Sequence, residues 1–163
     1  MTEAPALLEH LPELVVIGHI RTPWTVPRDC PHNPMESDTL CRVDLLPRWR
    51  PATASLEGCS HVFLLYWLDR ADRERLVQTP VSDNQPHGVF ALRSPNRPNP
   101  IGLSVAELVR VEEGQLTVRH VDCLDGTPLL DIKPYLPSVD SKPEASVDWW
   151  EKRANPTPPR AAG

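Results

Sequence analysis

Proline is the residue that most restricts what this chain can fold into: twenty prolines stand against seven glycines in 163 residues. Each proline fixes φ at about −65° and removes a backbone donor, so helix interiors and central strands hold few of them. Few long helices can form, and the chain must build short elements joined by stiff loops. Four prolines (Pro23, Pro27, Pro31 and Pro34) lie within residues 21–40 and mark one long loop. Three more (Pro95, Pro98 and Pro100) lie within six residues and mark a second.

Between these loops the apolar runs read as strands. Residues 14–20 are densely apolar and β-branched, and 41–46 form a short strand. Residues 62–68 are continuously apolar and aromatic, which fits a strand buried on both faces. A strand over 88–93 leads into the second proline loop. Strands over 103–111 and 116–121 are joined through Glu112, Glu113 and Gly114, with glycine supplying a positive φ. A last strand covers 129–132. Residues 51–56 can open a short helix with proline in its first turn, and 69–78 form an exposed helical turn or loop. This pattern is mainly β, a barrel or a sandwich with short helices and long proline-rich loops. Residues 1–13 read as a flexible leader, 14–140 as one domain, and 141–163 as a tail whose sticky element is Trp149–Trp150.

Composition narrows the function. Hydrophobic residues at 40% and charged residues at 24% are ordinary for a soluble domain. A net charge of −5 argues against a broad basic surface that wraps nucleic acid, though it allows a local basic site. Cys30, Cys41, Cys59 and Cys123 form no CxxC pair, and residues 1–14 have no apolar core of a signal peptide, so free thiols in a cytoplasmic protein are expected. The apolar run at 62–68 is too short to cross a bilayer, so no membrane partner is expected. His19, His32, His87 and His120 lack metal-ligand spacing, and no metal is expected. No GxGxxG, P-loop or nucleophile elbow is present, which argues against a Rossmann-type enzyme or a P-loop NTPase.

Two segments concentrate chemistry. The first is Arg93-Ser94-Pro95-Asn96-Arg97-Pro98-Asn99-Pro100-Ile101-Gly102. Its prolines stiffen the loop before any ligand arrives, which lowers the ordering cost of binding. Arg93 and Arg97 offer planar donors for carboxylate, phosphate or a base edge; Asn96 and Asn99 add amides. A rigid barrel-closing loop whose arginines pair with acids is an equal reading of the same residues. The second segment runs from Asp122 to Tyr135. Asp125-Gly126 is a strong turn signal, and Asp131 and Lys133 share a strand face. His61, at the edge of an apolar strand, reads as structural.

These residues resemble a known family. Gly88-Val89-Phe90-Ala91-Leu92 followed by the arginine–proline loop and Leu103-Ser104 is similar to the signature of the TrmO (TsaA-like) family. Asp125-Gly126-Thr127-Pro128 with Asp131-Ile132-Lys133-Pro134-Tyr135 is similar to its second signature. Ile17-Gly18-His19-Ile20-Arg21-Thr22-Pro23 and Leu56-Glu57-Gly58 with Ser60-His61 resemble two further regions. The resemblance implies a single small β-barrel that acts as an S-adenosyl-L-methionine (SAM)-dependent methyltransferase and a homodimer. It implies N6-methylation of threonylcarbamoyl-adenosine at position 37, in the anticodon loop of threonine tRNA. The family's SAM contacts fall on Pro27, Arg28, Ser60, His61, Arg93, Leu103, Leu124, Asp125, Gly126, Thr127 and Pro128. Many bacterial members carry an additional C-terminal domain, for which the residues after 140 are too few. The 23–40 loop, with Cys30 and Pro31, also departs from the family's simpler polar stretch.

Methyl transfer from a sulfonium asks mainly for a near-attack geometry and for a group to take the N6 proton. Asp131 is the first candidate for that proton, with Tyr135 and Lys133 as positioning groups. Arg97, Asn99 and Lys133 are the expected substrate contacts. Arg28, Arg97 and Lys133 are the basic residues expected to hold tRNA, which predicts a shallow salt dependence. The paired tryptophans are expected to add apolar area to a dimer contact. Other readings of the same barrel are methylation of a different acceptor, or a non-catalytic SAM- or RNA-binding module.

Overall fold

A computed structural model describes residues 13–152 of the chain. Apart from Glu13, the leader expected over 1–13 lies outside these residues, as does the tail beyond 152. The strands are β1 (Gly18–Arg21), β2 (Cys41–Leu45), β3 (His61–Trp67), β4 (Val77–Gln78), β5 (His87–Gly88), β6 (Ile101–Glu112), β7 (Gln115–Arg119) and β8 (Thr127–Pro134). Six of them close into an antiparallel barrel in the order β1-β2-β7-β6-β3-β8, while β4 and β5 pair as a separate ribbon. Closure removes the sheet edges that short strands would otherwise expose.

The barrel interior is packed with Ile20, Val43, Leu45, Val62, Leu64, Leu116, Val118 and Leu129, each at most 5% exposed. The two-residue β6–β7 turn explains a glycine: Glu113 and Gly114 have φ of 45° and 84°, the doubly left-handed geometry of a tight hairpin. Proline keeps the other connections out of α-helix. Residues Pro47–Thr53 form a 3-10 segment around Pro51, where a short helix over 51–56 is expected from sequence. The described helical turns at Pro137–Asp140 and Asp148–Glu151 are four residues each.

Several strand expectations change. The strand expected over 14–20 forms only from Gly18 to Arg21, and Val77–Gln78, expected in a turn or loop, pairs with β5. The run at 62–68 is not buried on both faces: Val62, Leu64 and Tyr66 point into the barrel, while Phe63, Leu65 and Trp67 are only half-buried outside. A closed barrel has one dry interior, so an outward aromatic row needs a different cover. The strand expected over 88–93 is cut short. After Gly88 the chain makes a 3-10 turn, Val89–Ala91, because Arg97 Nη2 donates to the carbonyls of both Val89 and Leu92. The strand at 103–111 extends to Ile101–Glu112 and presents its more apolar side outward. Gly102, Ser104, Ala106 and Leu108 face inward, while Ile101, Leu103, Val105 and Val109 are 37–44% exposed.

Candidate functional site

Three long connections meet at one end of the barrel: the segment after β1, the segment between β3 and β6, and the segment between β7 and β8. The first and third are stitched directly. The Thr22 N–H donates to Asp125 Oδ1 at 3.1 Å and Thr22 Oγ1 donates to the Cys123 carbonyl. The Asp125 N–H donates to the Trp24 carbonyl at 2.7 Å, and the Gly126 N–H to that of Ile20. Gly126 has φ +80°, so the Asp125-Gly126 turn is built as its sequence signals. The second connection is tied through β6. Arg93 Nη2 donates to the Leu103 carbonyl at 2.6 Å, and the Leu68 N–H to that of Pro100. Loop 69–76 lies along it, with Asp72 N–H on Asn96 Oδ1 and Arg73 Nε on the Pro98 carbonyl.

At this end a polar triad of buried Tyr66 and Ser104 with half-buried Asp122 joins β3, β6 and the β7–β8 loop. Tyr66 Oη donates to Asp122 Oδ1 at 2.7 Å and lies 2.8 Å from Ser104 Oγ, which is 3.3 Å from the same carboxylate oxygen. Ser104 is fully buried and Tyr66 is 2% exposed. Burial raises the Asp122 carboxyl above the usual carboxylate range, opposed by the Tyr66 and Ser104 hydrogen bonds and by the charge of Arg93. The Tyr66 phenol is raised by burial and by the Asp122 charge. Cys30 is pushed up to about 11 by burial and then by Asp122 and Cys41, and Cys41 to about 11 by burial. Both therefore stay protonated at neutral pH and are poor nucleophiles. All four cysteines are free. Sequence reading includes Asp122 in its second segment and Ser104 in the family signature, but gives neither a role and does not group them with Tyr66. The one local signal is a serine at an inward β6 position between Gly102 and Ala106.

The residues named from sequence divide into two groups. Pro27, Arg28, Arg93, Arg97, Asn99, Leu103 and 124–128 belong to the loop end and the strand ends beside it. Ser60, His61, Lys133 and Tyr135 lie at the opposite end of β3 and β8, about 20 Å away over six strand rises. There His61 Nδ1 lies 3.1 Å from Ser60 Oγ, and the Tyr135 N–H donates to the His61 carbonyl. Tyr135 packs against outward Phe63, ring centroids 5.5 Å apart and planes tilted by 60°. Asp131 lies between the ends on the outer face, level with Leu65 and Leu103. Its Oδ2 is 2.8 Å from Lys133 Nζ and its Oδ1 accepts the Ile132 N–H. Arg97 is committed to the Val89 and Leu92 carbonyls, and its buried Nε has no partner. Arg28 lies 3.6 Å from Asp29. In the tail, Trp149 stacks on His87 at 4.5 Å, with Trp150 edge-on to it.

The donor set at the loop end comprises a guanidinium, a half-buried carboxylate, two hydroxyls and backbone groups of a tight turn. It suits an organic ligand that carries both charges and hydrogen-bonding groups, as SAM does. Among the described residues no cluster of three His, Cys, Asp or Glu side chains could hold a metal, and no helix is long and apolar enough to cross a membrane.

Comparison with known proteins agrees with this geometry. Residues 19–141 match the tRNA-methyltransferase O N-terminal domain family. A probable S-adenosyl-L-methionine-binding protein of Archaeoglobus fulgidus is 42% identical over 146 residues, covering 90% of this chain and 40% of its own length. A mouse tRNA (adenine(37)-N6)-methyltransferase is 44% identical over 95 residues, covering 56% of this chain and 22% of its own. The crystal structure of TrmO from Pseudomonas aeruginosa superposes with a TM-score of 0.71 at 36% identity, covering 88% of this chain and 62% of that one. The chain thus spans less than two thirds of each of these three proteins. With the barrel, its loop-end site and this match over 19–141 together, the chain belongs to the tRNA-methyltransferase O N-terminal domain family.

Proposed function

We propose that this chain is a SAM-dependent methyltransferase acting on N6 of an adenine in the anticodon loop of tRNA, the acceptor being threonylcarbamoyl-adenosine at position 37 of threonine tRNA. The observation that carries the reading is the meeting of the Arg93 loop, the 122–128 turn and the segment after β1 at one barrel end. The names of the Archaeoglobus and mouse relatives support the cofactor and the adenine acceptor.

SAM supplies, when bound, a methyl group already activated for displacement. The task of the chain is to hold the acceptor in line and to take the proton that N6 loses. Asp131 is the proposed proton acceptor, with Lys133 beside it and Tyr135 as a positioning group. Arg97 and Asn99 are proposed to face the acceptor.

A homodimer fits both halves of the site. Ile101, Leu103 and Val105 on β6 lie beside Trp67, Leu65 and Phe63 on β3, forming one outward apolar face edged by Asp131 and Lys133. Apolar faces of this kind mark association surfaces. A two-fold pairing of this face, strands opposed, would carry the Ser60–His61 and Tyr135 end of one protomer toward the loop end of the other. Leu103→Glu should then give monomers in sedimentation and lose activity; a dimer that survives this charge would move the interface elsewhere.

The test of function is methyl transfer from labelled SAM to threonine tRNA with and without the threonylcarbamoyl group, read by nucleoside mass spectrometry. Transfer to modified tRNA alone is expected. Equal transfer to both would shift the acceptor, and binding without transfer would make the chain a module. Asp131→Asn should slow transfer while leaving SAM affinity intact.

A further inference from the structure

We infer that the segment after the barrel clamps the candidate site: Trp149 packs on His87, fixes the β4–β5 ribbon from which the arginine–proline loop starts, and so acts as a positioning residue for that loop. The inference deepens the cofactor reading above, on which its ligand readout rests, and it assigns the ribbon and Trp149, which that reading leaves unused.

The ribbon cannot hold itself. It has two residue pairs, Val77 with Gly88 and Gln78 with His87, and an isolated two-stranded ribbon is marginal in water even at greater length. Its apolar residues bury little, since Leu76, Val77 and Val81 are each more than half exposed. What it does bury is polar. His87 Nε2 lies 2.6 Å from Asp83 Oδ2, with the two side chains 16% and 8% exposed, and Asp83 Oδ1 accepts the Gln85 N–H at 3.0 Å. The Trp149 indole packs against the same imidazole, ring centroids 4.5 Å apart and planes tilted by 35°, and Trp150 meets Trp149 edge-on at 5.6 Å. The indole comes from the helical turn Asp148–Glu151, which is tied at both ends: the Val147 N–H donates to Glu151 Oε1, and Lys152 Nζ lies 2.7 Å from Asp148 Oδ1. Of the tryptophan pair expected at a dimer contact, Trp149 thus has a partner within its own chain.

From His87 the contacts continue into the loop. Gln78, the strand partner of His87, accepts at Oε1 from Ser94 Oγ at 2.6 Å, and Ser94 follows Arg93 in the arginine–proline loop. At the base of the ribbon the Val89 N–H donates to the Leu76 carbonyl at 3.0 Å, and the 89–92 turn held by Arg97 begins there. Trp149, His87, Gln78 and Ser94 therefore form one line of contacts that ends beside Arg93. Arg93 itself is tied to β6 through the Leu103 carbonyl; the ribbon side of the loop is tied through this line. A loop fixed before its ligand arrives loses less freedom on binding, so contacts that fix it set affinity without touching the ligand.

The test is hydrogen exchange read by mass spectrometry, with calorimetry on S-adenosylhomocysteine, both on the full chain. Trp149→Ala should speed exchange over 77–92 by about tenfold and leave the barrel strands unchanged, as a local opening does. It should weaken S-adenosylhomocysteine by about twofold to tenfold, the size of one aromatic contact. Trp149→Phe, which restores a ring, should recover most of both effects. Ser94→Ala cuts the line beyond the ribbon: exchange over 77–88 should match the parent while the ligand weakens by a similar factor. Because both residues lie on one line, the double variant should lose less affinity than the product of the two single losses. Unchanged exchange or unchanged affinity in Trp149→Ala, faster exchange throughout the barrel, Trp149→Phe without recovery, or strictly multiplicative losses in the double variant would overturn the inference. Should the unaltered chain fail to bind S-adenosylhomocysteine, the cofactor reading falls, and the exchange measurements still decide whether Trp149 holds the ribbon.

Discussion

Replacing Gly102 with alanine tests whether the motif glycine exists to seat Tyr66. The new Cβ would stand 2.0, 2.4 and 2.6 Å from Cε2, Cδ2 and Cζ of the Tyr66 ring, where carbon atoms normally rest at about 3.5–4.0 Å. The ring has little room to yield. It is 2% exposed, and its hydroxyl is bonded to Asp122 and Ser104. Either it tilts and gives up those bonds, or β6 moves away from β3. Overpacking of a tight core costs about 1–3 kcal/mol, and each hydroxyl bond lost adds about 1 kcal/mol. The expected destabilisation is therefore about 3–5 kcal/mol, a fall in Tm of roughly 10 °C for a chain of this size. Urea and thermal denaturation, followed by tryptophan fluorescence, measure it. Gly88→Ala is the control: nothing lies within 4 Å of its Cβ, its φ is −60°, and a change within about 0.5 kcal/mol is expected. Tyr66→Leu in the Gly102→Ala background should cost less than the sum of the two single changes. A Gly102→Ala protein as stable as the parent, or strict additivity in the double variant, would refute the packing argument.

Arg97→Ala should destabilise by about 2–3 kcal/mol, because one guanidinium nitrogen holds two carbonyls of the 89–92 turn; a fully stable variant would leave Arg97 a substrate role alone. Asp122 gives a pH signature in the folded protein. Its folded pKa is raised, so from the ordinary value of 3.8 upward the native state binds more protons than the unfolded one, and stability falls as pH rises through that window. Asp122→Asn removes this slope and should gain stability over the parent from acid toward neutral pH in ligand-free melts; parallel curves for the two proteins would contradict the burial argument.

Much of the fold is legible because the prolines fall between strands. They delimit the long loops at 21–40 and 94–100, and the apolar runs between loops become β2, β3, β6 and β7 near their expected places. The misreadings share one cause, which is that a barrel's inside is decided by its neighbours and not by the strand itself. On β6 the larger apolar residues, Ile101, Leu103, Val105 and Val109, look like a core face, yet Gly102, Ser104 and Ala106 point inward. Small residues are needed there because Tyr66 from β3 already fills that part of the interior. Periodicity finds the alternation and cannot say which side is in. The strand expected at 88–93 fails for a related reason, since Arg97 acts from beyond the segment to hold it as a turn.

The site was legible as loops and illegible as a constellation. Local chemistry marks the arginine–proline loop and the Asp125-Gly126 turn, because rigidity and turn geometry are written in consecutive residues. The triad is not, since Tyr66 stands 38 residues from Ser104 and 56 from Asp122, and barrel closure alone brings them together. Closure also divides the labour of the motif loop in a way its sequence hides. Arg97 holds the loop's own backbone, Pro100 is buried, Gly102 clears a volume for Tyr66, and Arg93 is the motif arginine anchored beside the triad. A motif dense in polar residues thus contains more scaffold than contact. The contacts it does offer gain their meaning from an aspartate on another loop, Asp122, whose Oδ1 accepts from Tyr66 and Ser104 on two strands of the barrel.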